Sequence, residues 1–537
     1  MKQLMTGGEV VVETLAANGI DTVFGIPGGH SFPVYAALAQ SQGIRHVLGR
    51  HEQGLGYMAD GFARASGRIA AVSLTSGPAV ANMMASLGQA TTDTSPVLVV
   101  ASTPNSALLG KNRFGLHDLN NSLDLARVTA RYIEHAAGID EISPKLVHLI
   151  RKLRYARPGG AYLQVPTDVL TTRAEVEIHC VPDQTYPKPS AKAVDEAVIL
   201  LRRAERPLII AGTGALLSDA GHQIRLLAEQ LGAVVSTTIL ARGILSCDLP
   251  YVIFPDGATS TQVDEVYSKA DVILAIGTMF KQEDTANWSF RFNGKLIHVD
   301  IDPSEFGRSY PADIAIHSDA RTACEIILAD LHRNQPANQA WVTYARGQQQ
   351  ARILKRYEYS GADMEFAMAF RQIVPRDVMM FADRCNIGYW AFRCLPFYEP
   401  RTFHYPLGYG GLGGALPQAI GAKLACPERR ILCVIGDGGI QFTLSELAVA
   451  VQERTPVTIV VSNNQCYGAI KAGMARNYNG LDFGTKLLNP DFGKISEAYG
   501  IPFLHTANRS QFLELVANEL AYPRLSLIEF VNDICDP

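Results

Sequence analysis

The chain has no Cys-x-x-Cys pair, no apolar run long enough to cross a membrane and no stretch rich in lysine and arginine. Each absence excludes a class of protein. The nine cysteines stand singly, which removes the paired spacings of zinc sites and dithiol redox enzymes. They are expected to be reduced, mostly buried thiols of a cytoplasmic protein. The longest apolar runs, such as 97–101 and 431–435, are of strand length, against the ~18 residues of a membrane helix. Residues 1–9 carry no long apolar segment and no small-residue cleavage site, so no secretory leader is expected. Lys and Arg number 48 against 52 Asp and Glu, a net charge of −4. Without a basic patch, a nucleic-acid partner is not expected. What is plentiful is glycine, 46 residues in a chain of 537. At roughly 150 residues per domain, that length predicts three domains or a little more.

Short apolar strands alternate with helical patterns along almost the whole chain, the signature of parallel α/β sheets. Strands are expected at 22–25, 46–48, 69–74 and 97–101, with helices at 10–18, 53–66 and 80–93 between them. A second block has strands at 208–211, 234–237, 272–276 and 296–299. A third has them at 378–382, 431–435, 458–461 and 525–530. Pro-marked Val181–Pro189 and polar His332–Gln339 read as linkers. The fold class is therefore α/β, with three domains at 1–180, 190–332 and 345–537, each a mostly parallel sheet flanked by helices. No repeat of 20–50 residues is visible.

The densest chemistry lies in Val434-Ile-Gly-Asp-Gly-Gly439, followed after a helix and a strand by Val460-Val-Ser-Asn-Asn-Gln465. Gly436 and Gly438 sit where an apolar strand ends, so backbone can turn tightly and approach a phosphate. Asp437 offers a hard oxygen to a divalent cation, and Asn464, after the next strand, offers a neutral one. Few protein ligands completed by phosphate and water is the habit of Mg²⁺. Tips of adjacent parallel strands are also where α/β sheets place ligands. The alternative is a structural strand–turn–helix with an unrelated Asn-Asn turn.

Gly436-Asp437-Gly438, then 24 residues, then Asn463-Asn464 resembles the thiamine diphosphate motif of the acetolactate synthase and 2-oxo acid decarboxylase superfamily. The resemblance covers the chain. Phe24–His30, Arg50–Gly54, Phe62–Gly67 and Thr75–Pro78 match its pyrimidine-binding domain. Asp300–Pro303 resembles the middle domain, and Gly410–Pro417 the start of the diphosphate-binding part. The resemblance implies a thiamine diphosphate-binding fold with a Rossmann-like middle domain, and thiamine diphosphate with Mg²⁺ as cofactors. Glu52 matches the acid that hydrogen-bonds the aminopyrimidine N1′; holding a proton there favours the imino tautomer, whose N4′ removes the thiazolium C2 proton. A plain helix-start acid is the alternative for Glu52 alone. Gly410 matches the carbonyl that accepts from the 4′-amino group, and Leu412 the residue that props the cofactor into its bent shape. Asp437 and Asn464 would bind the metal by side chain and Cys466 by its carbonyl, while Gly438 and Gly439 approach the diphosphate through N–H groups. Cys385 and Asn386 occupy a second diphosphate loop, which departs from the common Gly-Gln-His. In this superfamily the cofactor lies between two subunits, Glu52 from one and Asp437 from the other, so a homodimer or a dimer of dimers is implied.

Departures narrow the reaction. Where acetolactate synthases carry Phe-Gln-Glu, the chain reads Phe114-Gly-Leu-His-Asp118. The Trp that follows their Asn-Asn motif is absent from 468–474. Met279 replaces the arginine of the flavin pattern in Gly277–Gln282, so FAD is not expected. The chain looks most like the 2-ketoarginine (5-guanidino-2-oxopentanoate) decarboxylase subgroup. That subgroup implies decarboxylation of a 2-oxo acid to an aldehyde. His30 and His117 are placed over the thiazolium, where an imidazole suits proton delivery near neutral pH. Each could instead be a satisfied structural histidine. Asp118 could orient His117 or cap the next segment. Gln441 and Tyr467 are expected on the substrate side, with helix surface and core as their alternatives. Two other readings stand: a carboligase that passes the decarboxylated unit to a second carbonyl, and a catalytically silent relative.

Overall fold

The computed structural model describes all residues except 1, 112, 119–120, 183–185, 256–260, 332–337 and 536, and leaves aside the side chains of 261–264. Parts of both expected linkers, 183–185 and 332–337, thus lie outside the described residues. Runs rich in β-branched and aliphatic residues form the strands, and three six-stranded parallel sheets result. In space the first runs Arg45–Leu48, Thr22–Gly25, Ala70–Leu74, Val97–Thr103, Gly160–Pro166, Tyr132–His135. The middle sheet runs Val252–Ile253, Val234–Thr237, Pro207–Ala211, Val272–Ile276, Lys295–Asp300, Ile314–His317. The third runs Phe403–His404, Met379–Ala382, Ile431–Gly436, Val457–Asn463, Ser526–Val531, Phe503–Thr506.

Numbered by chain order within each sheet, the first and third share the order 2-1-3-4-6-5, and the middle has 3-2-1-4-5-6. The latter is the doubly wound dinucleotide order. The outer domains thus repeat one topology that no short sequence repeat announces. All twelve expected strands form within two residues of their expected ends. The strands not expected are mostly sheet edges, such as Val252–Ile253 and Phe403–His404. Those two have only two residues each, too short to show a period of two. Gly160–Pro166 is central but interrupted by the buried polar Gln164.

The helices Glu52–Ser66 and Ala415–Ala425 press the outer domains together. Glycines permit the contact: a Cβ on Gly61 would lie 2.0 Å from the Gln418 carbonyl, and one on Gly421 1.9 Å from that of Met58. One apolar core runs through both sheets, with Met58 and Phe62 meeting Leu416 and Ile420. Each such buried side chain contributes about 1.5–3 kcal/mol. No disulfide joins the nine cysteines among the described residues; four are buried, three partly exposed and two exposed. Burial therefore covers fewer thiols than expected, because Cys180 and Cys535 fall near chain segments that leave the sheets. Among the described residues no helix is long and apolar enough to cross a membrane.

Candidate active site

Doubly wound sheets hold ligands beyond the carboxyl ends of strands, where the strand order reverses. For 2-1-3-4-6-5 that point lies between the first and third strands of the sheet. In the first domain it is flanked by His30, after Thr22–Gly25, and by Ser76-Gly77, after Ala70–Leu74. Glu52 follows the neighbouring strand Arg45–Leu48 and starts the helix Glu52–Ser66. His51 caps that helix, its Nδ1 accepting from the Gln53 amide at 3.2 Å. Asn82 Nδ2 donates to Glu52 Oε2 at 2.9 Å.

His30 and His117 are brought together edge to face, their ring centroids 5.7 Å apart. His30 Nδ1 shares a 2.5 Å hydrogen bond with buried Ser76 Oγ, which leaves Nε2 for another partner. Burial and the charge of His117 hold His30 below the usual imidazole range. His117 lies in the left-handed region, φ 60°, a conformation that costs a non-glycine residue about 1–3 kcal/mol and clusters at functional sites. Its backbone rests on Gly77, where a Cβ would come within 2.9 Å of it. Its buried Nδ1 has no hydrogen-bond partner among the described residues. Asp118 forms no hydrogen bond with His117 among those residues; its own amide closes a turn on the Gly115 carbonyl.

The third domain repeats the arrangement. Cys385 and Asn386 follow Met379–Ala382, and Asp437 to Gly439 follow Ile431–Gly436, again at the reversal. Asn463 ends the next strand and Asn464 follows it. Asp437 is buried, and burial pushes its carboxyl up while Asn489 Nδ2, donating to Oδ2 at 2.7 Å, pulls it back. The same Nδ2 donates to Asn463 Oδ1 at 2.9 Å. Asn489 therefore bridges the two halves of the motif. Asn464 Oδ1 accepts from the Cys466 amide at 3.3 Å. Among the described residues no Lys or Arg pairs with Asp437 and no cluster of three His, Cys, Asp or Glu forms a metal site. One carboxylate among amide and carbonyl oxygens remains, which suits a hard divalent cation that keeps outside ligands.

Glycine lets neighbouring side chains pack closely against this turn. A Cβ on Gly438 would lie 2.6 Å from the Tyr467 ring and 3.0 Å from Leu487, and one on Gly436 3.1 Å from Cys385. Half-exposed Leu412 stands in a loop tied down next door, where Gly413 donates to Asp383 Oδ2 at 2.6 Å and accepts from Thr443 Oγ1 at 2.7 Å. Gly410, φ 71°, lies against Arg384. Asn386 is buried, its amide donating to the Ile534 carbonyl. Gln441 Nε2 donates to the Asp437 carbonyl at 3.0 Å and to Asn489 at 3.1 Å, so it braces the Asp437 turn.

Within one chain the hydrogen bonds of Glu52 stay in the first domain and those of Asp437 in the third. Among the described residues no hydrogen bond links Glu52 to Asp437. Sequence reasoning missed Asn489, Asp93 and Glu446; each is an ordinary polar residue whose partners lie far away in the chain.

Comparison with known proteins agrees with this geometry. The N-terminal TPP binding domain of thiamine pyrophosphate enzymes matches residues 5–124, their central domain 194–327, and their C-terminal TPP binding domain 383–530. A probable 2-ketoarginine decarboxylase of Pseudomonas aeruginosa is 34% identical over 512 residues, covering 93% of this chain and 89% of that protein. The acetolactate synthase large subunit of Corynebacterium glutamicum is 30% identical over 95% of this chain and 84% of its own length. That of Mycobacterium tuberculosis is 30% identical over 96% and 86%.

Proposed function

The chain belongs to the thiamine pyrophosphate enzyme family, and from that premise we propose that it decarboxylates a 2-oxo acid to an aldehyde, using thiamine diphosphate and Mg²⁺. The substrate we favour is 5-guanidino-2-oxopentanoate. The observation that carries the reading is the His30–His117 pair, with His30 just after a strand of the sheet whose neighbouring strand leads to Glu52. The named relative with decarboxylase chemistry supports it.

When bound, thiamine diphosphate supplies a thiazolium carbon that adds to the 2-oxo carbonyl and takes up the electrons left when CO₂ departs. Asp437, Asn464 and the Cys466 carbonyl would hold Mg²⁺, and Gly438, Gly439 and the loop at Cys385 and Asn386 would receive the diphosphate. Gly410 and Leu412 would meet the ring end. Glu52 holds a proton at N1′. His30, with Nδ1 engaged by Ser76 and its pKa lowered by burial and by His117, presents Nε2; His117 beside it shares the delivery of a proton to the carbon that has lost CO₂. Tyr467, packed by Gly438, and Gln441 would face the substrate. His30→Ala and His117→Ala are each expected to slow aldehyde release by about 10- to 100-fold, less than loss of a sole acid because the other imidazole remains. Wild-type release in both would overturn the pair's role.

Asn489→Ala should weaken Mg²⁺ binding by about 10- to 100-fold, the effect of removing a partner that orients a metal ligand. Titration of Mg²⁺ against thermal stability with the cofactor present reads it, and unchanged affinity would refute the bridge.

That the side chains of Glu52 and Asp437 hydrogen-bond within separate domains supports a homodimer or tetramer with the site between subunits. Large apolar side chains stand exposed around it, Phe483 at 79% and Leu488 at 99%. Met279, against Arg157 on a cavity of about 300 Å³ between the first and middle domains, supports a protein without flavin. Domain limits at 1–180, 190–332 and 345–537 and a cytoplasmic location complete the reading, the latter supported by nine cysteines with no disulfide among the described residues. A carboligase is the second reading, favoured by the acetolactate synthase relatives. Product analysis across pyruvate, branched, aromatic and guanidino 2-oxo acids, with and without aldehyde acceptors, separates them: aldehyde and CO₂ alone support decarboxylation, and an acyloin or 2-hydroxy-2-oxo acid as main product overturns it.

A further inference from the structure

Glu446 belongs to the third domain, at the end of the short turn Leu444–Glu446, yet its carboxylate serves the first. It is fully buried. Oε1 accepts from the His51 amide at 3.0 Å and Oε2 faces the Arg50 amide at 3.3 Å. These are the two residues just ahead of Glu52. Gly54 admits the acid, since a Cβ there would lie 2.3 Å from Glu446 Oε1. Two neighbouring contacts join the same segments: Arg50 Nη2 to Gln452 at 2.7 Å and the Arg45–Glu453 ion pair at 2.5 Å.

A buried carboxylate is expensive unless paired. Burial, reinforced by the nearby charge of Glu52, pushes Glu446 up to about 7, and the two amides with Arg50 pull it back. An apolar side chain would fill the space at lower cost, so what the acid adds is direction: it aims at the N–H of the N-cap His51 and at that of Arg50 just before it.

We propose that Glu446 is a positioning residue for Glu52, clamping the Arg50 and His51 amides so that the third domain sets where the helix Glu52–Ser66 begins and how Glu52 presents its carboxyl. The inference rests on the role given to Glu52 above. Glu446→Gln keeps the shape but turns an NH₂ group toward one amide. Gly54→Ala keeps the charge but pushes it off the amides.

Two measurements test this. Amide hydrogen exchange of residues 48–55, read by mass spectrometry before cofactor is added, is expected to speed up tenfold or more in both variants. Exchange of the cofactor C2 proton in the loaded holoenzyme, read by NMR after acid quench, is expected to slow tenfold or more, since about 1 Å of misplacement costs up to 100-fold. KM for the 2-oxo acid should stay within about twofold of wild type, because Glu446 does not touch substrate. C2 exchange at the wild-type rate in Glu446→Gln, or lowered thermal stability without slower C2 exchange, overturns the proposal. If Glu446→Gln does not fold, Gly54→Ala decides by the same criteria. Glu52→Gln run in parallel separates the two ideas. Fast C2 exchange there brings down the reading of Glu52 itself, whereas slow exchange in Glu52→Gln with fast exchange in the other two brings down only the clamp.

Discussion

Replacing Glu52 with glutamine is expected to lower turnover by about 10³-fold while leaving cofactor affinity within an order of magnitude. General acid–base groups contribute about 10²–10⁴-fold. The glutamine side chain keeps the size and the hydrogen bond from Asn82 but cannot hold a transferable proton at N1′. The defect should appear at the first chemical event, as slow exchange of the C2 proton, before any 2-oxo acid is added. Steady-state turnover and C2 exchange on fully loaded protein measure it. Wild-type turnover with full loading would sink the mechanism, and exchange at the wild-type rate would move the burden to another acid.

The second large effect is on stability. Asp93 is a buried carboxylate of the first domain that joins all three. Lys281 of the middle domain donates at 2.9 Å, the Gly408 and Leu407 amides of the third at 2.9 and 3.2 Å, and Arg64 at 3.2 Å, with Gln89 completing the shell. Asp93→Ala leaves two cations and two amides facing an apolar methyl, and breaking a buried pair in this way costs about 3–5 kcal/mol. On a domain of this size that lowers the melting temperature by on the order of 10 °C. The loop it holds runs directly into Gly410, so cofactor affinity should fall with stability. Thermal unfolding of Asp93→Ala beside Asp93→Asn, which keeps the shape, measures it; a shift under about 2 °C in the alanine variant would show the contacts to be idle. Burial by itself would raise the Asp93 pKa, but Lys281 and Arg64, with their hydrogen bonds and that of Gly408, hold it below the ordinary value. The ionised form is thus the stabilising one. Its contribution is complete above the unfolded-chain value of about 3.9 and drains away as pH falls below that toward the folded value.

How much of this was legible from residues alone follows from where each interaction lives. The strand at 431–436 and the turn after it are written in adjacent residues: an apolar run, then Gly-Asp-Gly. Local sterics and solvation decide such a segment, and it forms where expected. The short edge strands Val252–Ile253 and Ile314–His317 carry no such signal, because their existence depends on a neighbouring strand to pair with. His30 and His117 could be named as candidates from their motifs, but not as a pair. Their approach requires the His117 loop to fold back on Gly77 at a cost in backbone strain.

The scarcities met at the start, of paired cysteines, long apolar runs and basic patches, and the motifs around Glu52, Asp437 and Asn464 determined the class: an α/β enzyme of the thiamine diphosphate family. Such features are local, since a turn needs its glycine and a metal its carboxylate wherever the rest of the chain goes. Tertiary structure alone decided that the outer domains share one strand order, that Asp93 locks three domains, and that Glu446 grips an amide 395 residues away. In sequence those acids look like any solvated aspartate or glutamate. Only helix packing across the shared core buries them, and burial is what turns an ordinary charge into one that must find its partners.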